Sequence, residues 1–171
     1  DAGNKNVSAR TWEYLEEKPP GELSLTLSVM AGRPPRAEAK KQALYTLDAV
    51  MESAQPDGTA LAKAIVGVSK AGGNVKKHKG SNPLVRLYTH SQLRSDHLEG
   101  ALYALLAYRV SGQEIPETAL NSHAALIDHI VSSQLREGGF ARSAGQSPDI
   151  LTTAIAVAAL GYERQNPYVG A

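Results

Sequence analysis

Apolar residues recur at helical spacing along most of the chain. From Ala43 the series Ala43, Leu47, Val50, Met51 and Ala54 lays one stripe along a helix and leaves Lys40, Lys41, Asp48 and Glu52 off it. The turn residues Gln55-Pro56-Asp57-Gly58 end that helix. Leu61, Ala64, Ile65 and Val68 form the next stripe, with Thr59 as the predicted N-cap and Gly72-Gly73 as the stop. Asn82-Pro83 opens a further segment through Leu84, Leu87 and Tyr88, and Asp96 is placed to cap a long helix bearing Leu98, Ala101, Leu102, Leu105 and Leu106. Gly112 and Pro116 stop it. Ile127, Ile130, Val131 and Gln134 are assigned to one more helix, and Ser147-Pro148-Asp149 begins the last, over 150–160. That last segment is apolar almost all round, so burial on most sides is expected.

The N-terminal third has a weaker pattern. Val7, Trp12 and Leu15 suggest a short helix before Pro19-Pro20, whereas Leu23, Leu25, Leu27 and Val29 alternate with polar residues in a strand-like way. A helix through Leu23, Leu27 and Met30 is assigned there because a repeat requires it, which brings the expected number to eight. The repeat itself comes from matching second helices: Ala64-Ile65-Val66 lies against Ala101-Leu102-Tyr103 at a shift of 37, and Ala101-Leu102 against Ala154-Ile155 at a shift of 53. Helix pairs recurring at such periods indicate an array of hairpins, with the longer shift absorbing a loop insertion. The fold class expected is all-α, with about four antiparallel helical hairpins in a single domain over residues 1–171.

Composition narrows the function more than it identifies it. With 18 Lys and Arg against 17 Asp and Glu, the net charge of +1 provides no extended field for a polyanion, and nucleic acid is not an expected partner. Cysteine is absent, which removes disulfides, thiolate zinc sites and cysteine nucleophiles together. No apolar run has the roughly 18 to 20 residues that cross a bilayer, so no membrane span is expected and the chain as given reads as soluble. One Phe and one Trp among many Ala and Leu suit closely packed helices better than a β-sandwich.

The run Leu126-Ile127-Asp128-His129-Ile130-Val131-Ser132-Ser133-Gln134-Leu135, then Gly138-Gly139-Phe140, then Pro148-Asp149-Ile150-Leu151-Thr152-Thr153-Ala154, resembles the repeat of squalene cyclases, protein prenyltransferase β-subunits and related α/α toroids. In that family an outer helix ends in Gln, a Gly-Gly-aromatic turn follows, and an inner helix is led by Asp and Thr. The chain from Thr59 through Gly80-Ser81-Asn82-Pro83-Leu84, with Gly100-Ala101-Leu102-Tyr103 and Ile115-Pro116, is similar to bacterial surface or secreted proteins carrying such repeats. The resemblance implies an arc of a toroid, incomplete at the C-terminus because those relatives continue with further hairpins. It also implies a secreted or cell-surface location.

Each candidate site residue has a structural explanation beside its functional one. Gln134 can satisfy loop backbone groups next to Gly138-Gly139, and Asp149 and Asp96 can cap helices. Inner-helix N-termini face a toroid's mouth, so Asp149, Thr152, Asp96 and Gln134 are also candidate ligand contacts. Tyr103, with Tyr88 and Tyr108, is either core or a platform for a sugar or isoprenoid. Terpene cyclases use an aspartate-rich acid motif, yet Asp149 stands alone; prenyltransferase zinc sites, lanthionine cyclases and thioester domains all need Cys. No catalytic residue is therefore assigned and no cofactor is expected. The five histidines show no metal-ligand spacing, and Lys76-Lys77-His78-Lys79, bounded by glycines, reads as a solvated loop.

These readings lead to a non-catalytic binding or interaction module holding a small molecule or glycan in the concavity lined by the inner helices. The rival is an α/α-toroid enzyme acting on polysaccharide, as lyase or hydrolase, or on isoprenoid, and a fragment lacking its site is a third reading. A strip of Ile155, Val157 and Leu160 is expected to lie exposed at the C-terminal edge, to be covered by self-association or by a partner chain.

Overall fold

The computed structural model describes residues 37–95 and 97–163, excluding the side chains of residues 37–40, 162 and 163. The two helices expected before residue 31 lie outside the described residues. Six helices follow in order: α1 (Ala37–Glu52), α2 (Gly58–Lys70), α3 (Pro83–Tyr88), α4 (Leu98–Ser111), α5 (His123–Ser132) and α6 (Ile150–Glu163). Among the described residues there is no strand, only isolated backbone pairings of His78 with Ser81 and of Gln134 with Phe140. The chain is all-α.

Local chemistry explains where the helices start and stop. Asp57, not Thr59, caps α2: its Oδ1 accepts the Ala60 N–H at 2.7 Å, and Thr59 lies inside the helix. A carboxylate one residue before the helix reaches the orphan amides that a hydroxyl within it cannot. Gly72 at φ 73° ends α2 by letting the Gly72 and Gly73 amides turn back to the Ser69 and Val68 carbonyls, at 3.0 and 2.8 Å. Asn82 caps α3 by accepting from the Leu84 and Val85 amides, with Pro83 at the first helical position. Ser122 caps α5 by accepting from the Ala125 amide at 3.2 Å.

Two assignments at helix ends need correction. His97 occupies the cap position of α4 and makes no side-chain cap bond; the Leu98 amide donates instead to the Arg142 carbonyl at 3.0 Å, so a distant loop supplies the acceptor. Asp96, the expected cap, lies outside the described residues. Gln134 lies beyond the end of α5, which stops at Ser132.

Packing is centred on α4. Helix α1 packs on α2, α2 on α4, and α4 on both α5 and α6, whereas the short α3 packs on α2. Every residue of α4 from Gly100 to Tyr108 is buried. Gly100 allows the close approach, because a Cβ there would run into the Leu93 carbonyl. Leu47, Leu61, Ile65, Leu87, Leu102, Leu105, Leu106, Leu126, Ile130 and Ile155 are fully enclosed in one core. Contrary to the expectation of burial on most sides, α6 buries only the face of Thr152, Ile155, Ala156 and Ala159. Ile155 therefore belongs to the core and Leu160 is half-buried, whereas Val157 is exposed as expected together with Ile150 and Leu151.

Candidate functional site

The loops that lead into α2 and α4 bound a cleft of about 1060 Å³. Asp57, Thr59, His90, Gln92, His97 and Ser143 line it, so α2 and α4 open at the same end of the described part of the molecule. The third, α6, starts there too, because Asp149 donates its amide to the Phe140 carbonyl close to the Arg142 link with Leu98.

The walls of the cleft are tied to backbone. His90 donates from Nε2 to the Pro56 carbonyl at 2.8 Å, and its Nδ1 accepts the Gln92 amide at 3.2 Å, which fixes one tautomer and joins the two loops. Arg86 lies beneath them, with Nη1 donating to the Met51 carbonyl and Nη2 to the Ser53 and Ala54 carbonyls at 2.8 and 3.1 Å. Its guanidinium thus closes the C-terminal end of α1, where a cation is favoured by the helix dipole as well. On the far wall the His97 Nδ1 and Ser143 Oγ lie 2.7 Å apart. Behind the cleft the buried Asn121 donates to the Leu87, Tyr88 and His90 carbonyls and accepts from Arg94 Nε at 3.1 Å. One amide thereby holds the end of α3, the cleft loop and the start of α5 together.

The expected site residues fall into two groups, and none of those described lines the cleft. Gln134, exposed, donates from Nε2 to the Gly138 carbonyl at 2.8 Å and pairs with Phe140 across the turn, while Gly138 sits at φ 89°. Thr153 Oγ1 accepts the Phe140 amide at 3.0 Å, and a Cβ on Gly139 would stand 2.7 Å from Pro148, so the Gly-Gly-aromatic turn is fastened to the start of α6. Asp149 caps that helix through the Thr152 amide at 2.8 Å. The Thr152 hydroxyl and then its backbone N–H, with a smaller contribution from Arg142, hold the Asp149 carboxyl below the usual carboxylate range. Thr152 itself is buried.

Tyr103 is in the core, with Lys63 Nζ 4.8 Å from its ring centroid. Glu99 joins this ammonium, at 3.5 Å, to Arg142, at 3.4 Å, and so links Tyr103 to the loop that carries Ser143. Tyr108 is buried with its hydroxyl donating to the Asn121 carbonyl at 2.8 Å, and burial pushes its phenol well above the ordinary value. Of the basic run, Lys76, Lys77 and Lys79 are exposed, as a solvated loop would have them, but the loop is tethered: His78, half-buried, and Lys79 place Nε2 and Nζ 2.6 and 3.0 Å from Asp48 Oδ1 on α1. Hydrogen bonds from Lys79 and then His78 keep the Asp48 carboxyl below its usual range. Among the described residues no group of three or more His, Asp or Glu could hold a metal ion, and no helix is long and apolar enough to cross a membrane.

Metal-ligand spacing is the wrong test for His90 and His97, because both act on backbone or hydroxyl partners. The usable signal is the polar run 89–97, interrupted only by Leu93, which is longer than a helical hairpin needs. A comparison with protein-family models, with curated proteins and with solved structures finds no match.

Proposed function

We propose that the chain is a non-catalytic binding module of a bacterial surface or secreted protein, built as an arc of α/α-toroid hairpins, which takes a hydroxyl-rich ligand such as a glycan in the cleft at the N-terminal ends of its second helices. The toroid reading is supported by the order of packing: α2, α4 and α6 succeed one another with their starts at one end, and α3 and α5 lie against α2 and α4. The observation that carries the functional reading is the cleft, where hydroxyl, amide and imidazole groups surround about 1060 Å³. Hydrogen bonds to backbone hold Asp57, Arg86 and His90 in place, and the Ser143 hydroxyl holds His97, which suits preorganised recognition. Tyr103 and Glu99 support the wall from behind rather than touching the ligand.

Titration calorimetry against a panel of neutral and acidic oligosaccharides tests this reading. Gln92→Ala and His97→Ala should each weaken binding of the responding glycan about tenfold, the loss of one hydrogen-bonding group. No binding across the panel, or binding that ignores both substitutions, overturns the assignment of the cleft. Cleavage of any oligosaccharide in the same panel would favour the lyase or hydrolase reading.

A further inference from the structure

The cleft offers a ligand few apolar contacts. Its described lining has Ala54, Pro56 and Gly58 as apolar members and no aromatic ring besides the imidazoles of His90 and His97. An isoprenoid would find no apolar wall there and a sugar no Trp or Tyr to stack on, so affinity has to come from hydrogen bonds. Two formal charges of opposite sign, Asp57 and Arg86, stand in that lining. Arg86 is committed to the Met51, Ser53 and Ala54 carbonyls at the end of α1. Asp57 accepts the Ala60 amide, but its carboxylate is exposed, so the negative charge still acts in the cleft.

Helix N-termini ordinarily draw an anion, and three of them open at this end. Each already has a carboxylate of its own: Asp57 before α2, Glu99 in the first turn of α4 and Asp149 before α6. Arg142, next to Ser143 in the chain, is shared in turn, since it bonds Glu99 at 3.4 Å and its charge also favours the ionised Asp149. Lys63 is 3.5 Å from Glu99. Three carboxylates thus balance three cations around the cleft, and its cations are engaged within the fold.

We infer that the ligand of the cleft is an uncharged oligosaccharide and that the Asp57 carboxylate is the group that rejects acidic ones. The inference rests on the glycan reading of the cleft and narrows it. The side chains left to meet a ligand are neutral: Thr59, Ser91 and Gln92 make no side-chain hydrogen bond among the described residues, and His97 keeps Nε2 unpartnered while Ser143 holds Nδ1. A sugar hydroxyl can pair with each of them as donor or acceptor. A uronic acid brought to the same groups would meet Asp57 without a free cation to answer it. Recruiting Arg86 instead would strip the α1 carbonyls of their donor, and groups left unpaired in this way cost more than the new bond returns.

Matched pairs within the oligosaccharide panel test the inference by calorimetry: cellotetraose against its C6-oxidised glucuronate, and tetragalacturonate as the methyl ester against the free acid. In each pair that responds, the neutral member should bind about tenfold tighter or more. Asp57→Asn removes the charge and keeps the cap, because an Asn oxygen serves the Ala60 amide equally well; the ratio of neutral to acidic affinity should then fall about fivefold. Raising sodium chloride from about 50 mM to about 500 mM should shrink the ratio in the parent chain, since an exposed charge is screened, and leave it steady in Asp57→Asn. An acidic member that binds as tightly as its neutral partner, or a preference that Asp57→Asn leaves intact, overturns the inference while the cleft remains a glycan site. No response from any pair overturns the glycan reading and the inference with it.

Discussion

Helices α4 and α6 occupy the same place in the proposed repeat and have the same length, yet one is buried through most of its length and the other on one face only. Their sequences do not announce the difference. If anything α6 is the more apolar, with ten of its first twelve residues Ala, Ile, Leu, Val or Gly and the other two Thr152 and Thr153. Apolar content reports how a helix could be buried, whereas neighbours decide how it is. Among the described residues α4 packs on α2, α5 and α6, whereas α6 packs on α4.

Core substitutions should show the contrast most strongly. Leu102→Ala in α4 removes a fully enclosed side chain and is expected to cost about 2–5 kcal/mol in urea unfolding. Val157→Ala in α6 should stay within about 0.5 kcal/mol at low protein concentration, as for an exposed site. A loss at Val157 comparable to that at Leu102 would break the comparison, since it would mean that α6 is covered in the monomer. Ile155, expected on the exposed strip, points into the core instead, so an acidic replacement there should unfold the chain.

Asn121 comes next in size. Its amide serves three carbonyls beside the region where α4 packs on α5, so Asn121→Ala should leave several buried groups unpaired and cost about 2 kcal/mol. The same substitution should loosen the cleft loop, because one of the carbonyls belongs to His90. Faster amide exchange at residues 89–95 in the variant, with α6 unchanged, would confirm that this network serves the α4 side of the molecule.

What could be read from the sequence follows the range of the interaction. Gly72-Gly73, Asn82-Pro83 and Gly112 mark helix ends through bonds spanning a few residues, and the structure places the ends there. The cap of α2 was displaced from Asp57 to Thr59 because both residue types cap helices and only geometry separates them. Gln134 shows how local support can hide in a motif: its backbone-binding role was legible, but its position beyond α5 was not. The cleft was illegible for a different reason. Its walls come from residues 54–59, Arg86, residues 89–92, Ser95, His97 and Ser143, brought together by bonds such as His90 to Pro56 and Leu98 to Arg142 that no periodicity encodes. Helix α6 fails in the opposite direction, since the pattern identified the helix and not its uncovered side.

The starts of the two helices also differ, with a smaller energetic consequence. Helix α6 depends on a side chain of its own, and Asp149→Ala should cost about 1 kcal/mol as the loss of an N-cap. Helix α4 receives its acceptor from the Arg142 carbonyl, so His97→Ala should change stability by less than about 0.5 kcal/mol. Equal losses at the two positions, measured by thermal unfolding, would show that the caps are not specialised in this way.

Acid should separate the two starts again, with the smallest effect of all. The Asp149 carboxyl is held below its ordinary value of 3.8 by the Thr152 hydroxyl and amide, so the folded state favours the ionised form. Its stabilisation is complete above that ordinary value and disappears as the pH falls through the lower folded value. At the start of α4 the Leu98 amide donates to a carbonyl, so that cap bond has no group to titrate. His129 on α5 acts in a separate window: burial, and then the nearby Arg94, lower its pKa from 6.5, so the folded state favours the neutral ring. Stability should therefore begin to fall as the pH drops below 6.5, and His129→Gln should remove that portion without affecting the step below 3.8. Asp149→Asn keeps an acceptor for the Thr152 amide but cannot titrate. Amide exchange followed from pH 5 downward should show the first turn of α6 opening in the parent chain and not in Asp149→Asn, with the buried centre of α4 protected in both. Parallel opening of the two helices would mean that acid acts on the whole fold rather than on the cap.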